Sequence, residues 1–362
     1  MNNKASFTDI PIHPGAHLKD TLEALGLSQT ELAKRMGMSR KVINEVISEK
    51  APISAGTAIL LERVLKIPAH IWINLQRNYD LNIAYIAEQE KLIKESEFLK
   101  IFPVAKIIKY GWIPETKSKT EKVKNLLSFF SVSSLADIEN SLSVQFRRSF
   151  RENTSKEAIY TWLRQGEIQV RKLEIEDYNE NGLKDKLSQL RQLTNKPPDI
   201  FHSEIVRICA SVGVAVVFVP ELPKAFINGA TFWFDNFRKS ALLLSLRFKT
   251  NDHLWFSFFH ELGHIILHRK KENFLDLSDN KLTGEDEAKE AEANSFAESL
   301  LISENEWERF KKFAPFSEHK VLSFSESIGI APGIVVGRLQ REKLLPFTHL
   351  NGLKEKYNWI LD

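Results

Sequence analysis

The sequence has little cysteine, little excess charge and no long apolar run, and each shortage removes a class of protein. Its 362 residues include one cysteine, Cys209, so the chain can form neither an internal disulfide nor a thiolate metal cluster. Cys209 lies in the apolar stretch 205–210 and reads as a buried core thiol. Fifty Lys and Arg against 47 Asp and Glu leave a net charge of +3, too balanced to argue for nucleic-acid binding by bulk charge. No apolar run approaches the roughly 18 residues of a membrane span. Residues 1–9 are polar and lack the apolar core of a signal peptide. The expectation is therefore a cytoplasmic chain with no membrane partner. No internal repeat or low-complexity tract is visible. With 43% hydrophobic and 27% charged residues, the chain has the make-up of a globular protein with a sizeable core. It is long enough for two or three domains.

The first 80 residues read as short amphipathic helices. Leu18, Leu22 and Leu25 recur at helical spacing before Gly26. Ser28-Gln29-Thr30-Glu31 is a capping box, followed by the apolar face Leu32, Ala33 and Met36 and the stop Gly37. Ser39 starts a third helix with Val42, Ile43, Val46 and Ile47 inward. Ser54 starts a fourth through Ile59, Leu60, Val64 and Leu65, and Pro68 suits the first turn of a fifth. From 81 to about 200 the pattern stays helical, and residues 100–156 carry eleven basic against five acidic side chains. Arg147, Arg148 and Arg151 could form a phosphate-binding face, although a solvated helix accounts for them as well. Asn195-Lys196-Pro197-Pro198 marks a domain boundary. Beyond it, 214–219 is a β-branched run that reads as a strand. Residues 229–234 and 241–246, joined at Asp235-Asn236, read as a hairpin. A long helix over about 252–268, a polar loop over 270–284 and a second helix over about 285–301 follow. The tail, 302–362, is mostly helical.

The chemistry concentrates in His260-Glu261-Leu262-Gly263-His264. Two histidines four apart on a helix project from one face and can grip one ion. Glu261 beside them is placed to hold a water at that ion and take its proton. With 10 His and 34 Glu in the chain, this pattern arises by chance about 3% of the time. The flanking residues, among them Leu254, Trp255, Phe258, Phe259, Leu262 and Ile265, make the helix apolar nearly all round. Polar groups buried there are costly without partners. Hydrogen-bonded core histidines are the competing reading. Gly263 weakens the helix and so suggests close approach of another backbone or a ligand. A third ligand is sought among Glu285, Glu287, Glu290 and Glu292. Glu290 lies about 50° from the centre of its helix's apolar side and Glu292 about 110°. Glu290 is chosen, with Asn294 one turn on as a supporting partner and Glu292 as the alternative. His268, rotated by about 80° from His260, reads as a structural histidine.

These residues, with Glu290-Ala291-Glu292-Ala293-Asn294-Ser295-Phe296-Ala297, resemble the ImmA/IrrE family of zinc metallopeptidases over about 200–302. In that family the second pattern is Glu-x-(Glu/Gln)-Ala-(Asn/Asp)-x-Phe-Ala, and its leading Glu, here Glu290, is the third ligand. The resemblance implies a gluzincin-like core holding Zn2+. It also implies an edge strand for extended peptide, placed near 228–232. The stretch 28–46 resembles an Xre-type helix-turn-helix of the HigA antitoxin-like branch. Its second helix would offer Ser39, Arg40, Lys41, Asn44 and Glu45 to the major groove, with Gln29 and Thr30 near a phosphate. The fold class expected is mainly α with a small α+β part. Residues 1–80 form a helix-turn-helix bundle, 81–198 a helical linker, 199–302 the metallopeptidase core with a small sheet and 303–362 a helical extension. Three functions compete. One is a DNA-bound regulator with zinc endopeptidase activity on a repressor- or antitoxin-type protein. The second is a non-catalytic HigA-like antitoxin or repressor with a sensory or structural metal domain. The third is a peptidase whose N-terminal module docks a protein. Operator DNA as partner and a homodimer are the further expectations.

Overall fold

Serine side chains start three of the helices of the N-terminal part. The computed structural model describes residues 11–138, 153–268, 273–277 and 285–358; Arg147, Arg148 and Arg151 lie outside the described residues. The chain divides into two compact units, Met1–Ser96 and Glu97–Asp362. The first holds α1 (Pro14–Ala24), α2 (Gln29–Met36), α3 (Arg40–Ile47), α4 (Ala55–Leu65) and α5 (Ala69–Glu95). Ser28, Ser39 and Ser54 accept hydrogen bonds from the N–H groups of Glu31, Val42 and Thr57, satisfying donors that the first turn leaves free. The Glu31 carboxylate pairs with Arg35 at 2.9 Å. Gly37 closes α2 at φ 65°, a left-handed cap that costs glycine nothing. Leu18, Leu32, Met36, Ile43, Val46 and Trp72 meet in one core. Leu25 does not join it. The helix has already ended at Ala24, so Leu25 falls at the cap and is exposed, as is Ile59 on α4. Position 80 lies inside α5, whose apolar repeat runs on to Glu95, and the division between units falls at Ser96/Glu97.

The second unit is also mostly helical around a small sheet. Helices Val104–Lys109, Lys119–Phe130, Lys156–Val170, Glu180–Gln192 and Pro198–Ala210 come first. The sheet follows as β1 (Val214–Phe218), β2 (Ile227–Phe234), β3 (Lys239–Leu244) and β4 (Phe274–Leu277) in the order β1-β3-β2-β4. β1 runs parallel to β3, and β2 is antiparallel to both its neighbours. The hairpin joining β2 to β3 turns through Asp235, Asn236 and Phe237, all at positive φ. Asp and Asn tolerate that region better than most residues. Two expectations are corrected here. Residues 228–232 do not form an edge strand, because β2 is paired on both sides. The edges are β1 and, beside β2, β4, which lies inside the stretch read as a polar loop. Phe274-Leu275-Asp276-Leu277 does not show the apolar–polar alternation that marks a half-buried strand.

The helix Asn251–Leu267, the motif helix, is buried through Trp255, Phe258, Phe259 and Leu262. It packs against the glutamate helix, Glu285–Leu301, and against Pro332–Arg341. Cys209 is fully buried in the same core, as expected. The start of the motif helix has no side-chain cap; the C-terminal segment holds it instead. The Asn251 N–H donates to the Glu355 carbonyl at 2.9 Å, and Asn251 Oδ1 accepts from the Glu355 N–H at 3.3 Å. Lys354 Nζ donates to Asp252 Oδ2 at 2.6 Å and to Gln340 Oε1 at 2.8 Å. Gly337 permits this, since a Cβ there would stand 2.7 Å from Asp252. Among the described residues no single helix is long and apolar enough to cross a membrane.

Because Asp252 is buried, removing its cation leaves a charge without its partner. Lys354→Ala is expected to destabilise the second unit by about 3–5 kcal/mol, read from chemical denaturation. A loss below about 1 kcal/mol would show that the pair does not hold the helix start.

Candidate metal centre and recognition helix

The motif helix presents His260 and His264 one turn apart, with their Nε2 atoms 3.0 Å from each other. The glutamate helix brings Glu290 Oε2 to 3.2 Å from His260 Nε2 and 3.6 Å from His264 Nε2. This close crossing needs Gly263 facing Ala293. A Cβ at Gly263 would lie 3.2 Å from the Ala293 Cα and from the Phe296 ring. The close backbone approach read from Gly263 is thus present. Glu292 is not part of the convergence: its side chain is exposed and reaches His268 Nε2 at 3.3 Å. Asn294 Oδ1 sits 3.0 Å from His260 Nδ1, where it accepts the Nδ1 proton and leaves Nε2 with its lone pair. His268 Nδ1 lies 3.0 Å from His264 Nδ1, and the Phe274 ring of β4 stacks on His264 at 4.0 Å. Sequence reasoning took His268 as structural and missed the relay from His264 through His268 to Glu292. Its signal was the same four-residue spacing.

The arrangement fits a tetrahedral metal. Zinc bonds of 2.0–2.1 Å to nitrogen and oxygen imply ligand-to-ligand edges of about 3.3–3.4 Å, and the three edges here are 3.0, 3.2 and 3.6 Å. Burial pulls the His264 pKa down to about 4 against the opposing pull of Glu290. For His260 burial acts in the same sense and is the largest single influence, but the hydrogen bond to Glu290, the charges of Asp276 and Glu290 and the bond to Asn294 together outweigh it and the pKa rises. Burial would raise the Glu290 carboxyl, yet its bonds to His260 and His264 hold it far below the usual range. An ionised carboxylate and an imidazole kept neutral by burial are the forms that bind metal.

Glu261 is 0% exposed. Strand β2 passes directly over it, so close that a Cβ at Gly229 would come within 2.5 Å of its Oε1. Asp276 on β4 completes this side. Its carboxylate lies with atoms of His260 and Glu261 inside one 4.8 Å group, and it accepts from Asn228 Nδ2 at 3.0 Å. Neither Gly229 nor Asp276 carried a local sequence signal, because long-range pairing puts them there. A cleft of about 710 Å3 opens onto the centre, lined by His260, Glu290 and Asn294 and, from the C-terminal segment, by Arg338 and Phe347.

In the first unit, α3 turns Arg40, Lys41 and Asn44 outward, opposite the buried Ile43 and Val46. Thr30 and Ser39 are exposed as well, and Gln29 is half-buried at the first position of α2. The Ser39 hydroxyl already accepts the Val42 N–H at 3.4 Å. Lys41 lies 3.8 Å from Glu45 in an exposed pair, which little restrains it.

Comparison with known proteins follows this division. Residues 18–72 match the helix-turn-helix family and residues 215–320 match the IrrE N-terminal-like domain. Virulence-associated protein I of Dichelobacter nodosus is 40% identical over 93 residues, which cover 25% of this chain and 83% of that one. Two solved structures show the same local likeness. The HigA-family addiction module antidote protein from Coxiella burnetii is 30% identical, covering 23% of this chain and 92% of that one, with a TM-score of 0.22. The Pseudomonas aeruginosa antitoxin HigA, solved with the higBA promoter, is 37% identical, covering 23% and 90%, with a TM-score of 0.22. The chain belongs to the helix-turn-helix family and carries, in its second unit, an IrrE N-terminal-like domain.

Proposed function

We propose that the chain is a DNA-binding regulator whose second unit is a zinc-dependent endopeptidase acting on a repressor- or antitoxin-type protein. The observation that carries this reading is the triangle of His260, His264 and Glu290 atoms with the Glu261 carboxylate buried beside it. His260, His264 and Glu290 hold the metal, and Asn294 and His268 fix the two imidazoles. Zinc in this position supplies a lowered water pKa and a polarised substrate carbonyl. Glu261 takes the proton of the attacking water and delivers it to the departing amine nitrogen. Gly229 keeps β2 close enough to hold that carboxylate in place. A structural zinc has no use for Glu261, which weighs against a purely sensory or structural domain. In the first unit, Arg40, Lys41 and Asn44 read base edges while Gln29, Thr30 and Ser39 lie near the phosphates. A homodimer presents two such helices to a two-fold operator.

Glu261→Gln keeps the metal ligands and removes the base. It is expected to retain zinc and to lower cleavage by at least about 100-fold. The measurement is a proteome-wide comparison of new termini produced by wild type and variant. If wild type produces no termini that the variant lacks, the domain is not a peptidase. The Arg40→Ala, Asn44→Ala double variant is expected to lose salt-dependent binding to a palindrome in the chain's own promoter region. Unchanged anisotropy titrations would remove α3 from the interface.

A further inference from the structure

The second unit contains a larger cleft that the metal centre does not use. It measures about 950 Å3, within the size range of small-molecule pockets. Its lining includes two fixed aromatic surfaces. Tyr110 and Trp112 pack together at 5.3 Å, with the Tyr110 hydroxyl bonded to the Glu221 carbonyl and Trp112 stacked against Phe129. His202 and Phe218 form the second surface, with ring centres 4.7 Å apart. Polar groups accompany them. Gln165 and Gln169, one turn apart on Lys156–Val170, are half-buried in the lining, and their carboxamides make no hydrogen bond among the described residues. Lys109, Lys172 and Lys356 border the same space, and none forms an ion pair among the described residues. Among the described residues of the lining, Asp199 is the one carboxylate.

Each feature asks for a different part of one ligand. Held aromatic faces take a flat ring, and stacking of a base on such a face is worth about 1–3 kcal/mol. A glutamine carboxamide, which both donates and accepts, matches the N6 and N7 edge of adenine. Among the described lining residues, three cations against one anion leave an excess that suits a phosphate. We infer that this cleft binds a purine nucleoside monophosphate. The ring stacks on the Trp112 surface, Gln165 and Gln169 meet its edge, and the lysines meet its phosphate. The cleft also reaches the start of the motif helix. Leu254 of its first turn lines the cleft, and Lys356 pairs across a β-bridge with Thr250, the residue before that helix. A nucleotide bound here therefore bears on the segment that positions His260 and Glu261. The inference does not depend on the peptidase reading.

The test is calorimetric titration of the full chain with AMP, and with adenosine and inorganic phosphate separately. AMP is expected to bind saturably, with each fragment at least about tenfold weaker. The Lys109→Ala, Lys172→Ala double variant and the Trp112→Leu variant are each expected to weaken AMP by about tenfold or more. The melting temperature of the ligand-free variants shows that they are folded, and Gln169→Ala serves as a milder second probe of the ring edge. No saturable AMP binding overturns the inference. So does phosphate binding as tightly as AMP, or AMP affinity unchanged in folded variants.

Discussion

Three polar atoms held within 3.0–3.6 Å of one another in a nearly dry place are the constraint on which the second unit depends. Two imidazole nitrogens and a carboxylate oxygen at that separation oppose each other unless a cation or shared protons lie between them. The fold brings them together by exact fit at one crossing, Gly263 against Ala293. It then supports them from outside, with Asn294 on one imidazole and His268 on the other. Above the site, β2 passes without a side chain at Gly229 and leaves room for Glu261. Below it, the start of the motif helix is tied to residues 354 and 355, far away in the chain. The C-terminal segment is therefore a part of the core that holds the centre.

How much of this was legible depended on whether the signal was local. His260, Glu261 and His264 show in five consecutive residues; the apolar face of one helix favoured Glu290 over the alternative Glu292, and Asn294 lay one turn beyond it. Helical periodicity also marked α2 and α3, because each begins at a serine and α2 ends at a glycine whose role depends only on neighbouring backbone. What could not be read was assembled over distance. β4 is four residues long, and its place beside β2 depends on pairing across some forty residues. That pairing turned an expected edge strand into an interior one and carried Asp276 into the site. The span of α5 beyond residue 80 was likewise invisible, since a helical pattern that simply continues gives no stop signal.

The two units put different chemistry on one chain. The first offers a short helix with Arg40, Lys41 and Asn44 exposed over a packed core. The whole chain carries a net charge of only +3, so any binding by this helix would rest on contact geometry more than on bulk attraction. The second offers a buried donor set of two imidazoles and a carboxylate that could hold a metal ion. Under the proposed function, a hydrolytic site tethered to a DNA-binding helix would meet a narrow set of proteins at high local concentration.

The proposed chemistry of the second unit requires a bound metal. The direct measurement is elemental analysis of the purified full chain, expressed with zinc available, beside His264→Ala. The account predicts about one zinc per chain in the wild type and none in the variant, with both folded by circular dichroism. A wild type without zinc, or a folded His264→Ala that keeps its full zinc content, would contradict it.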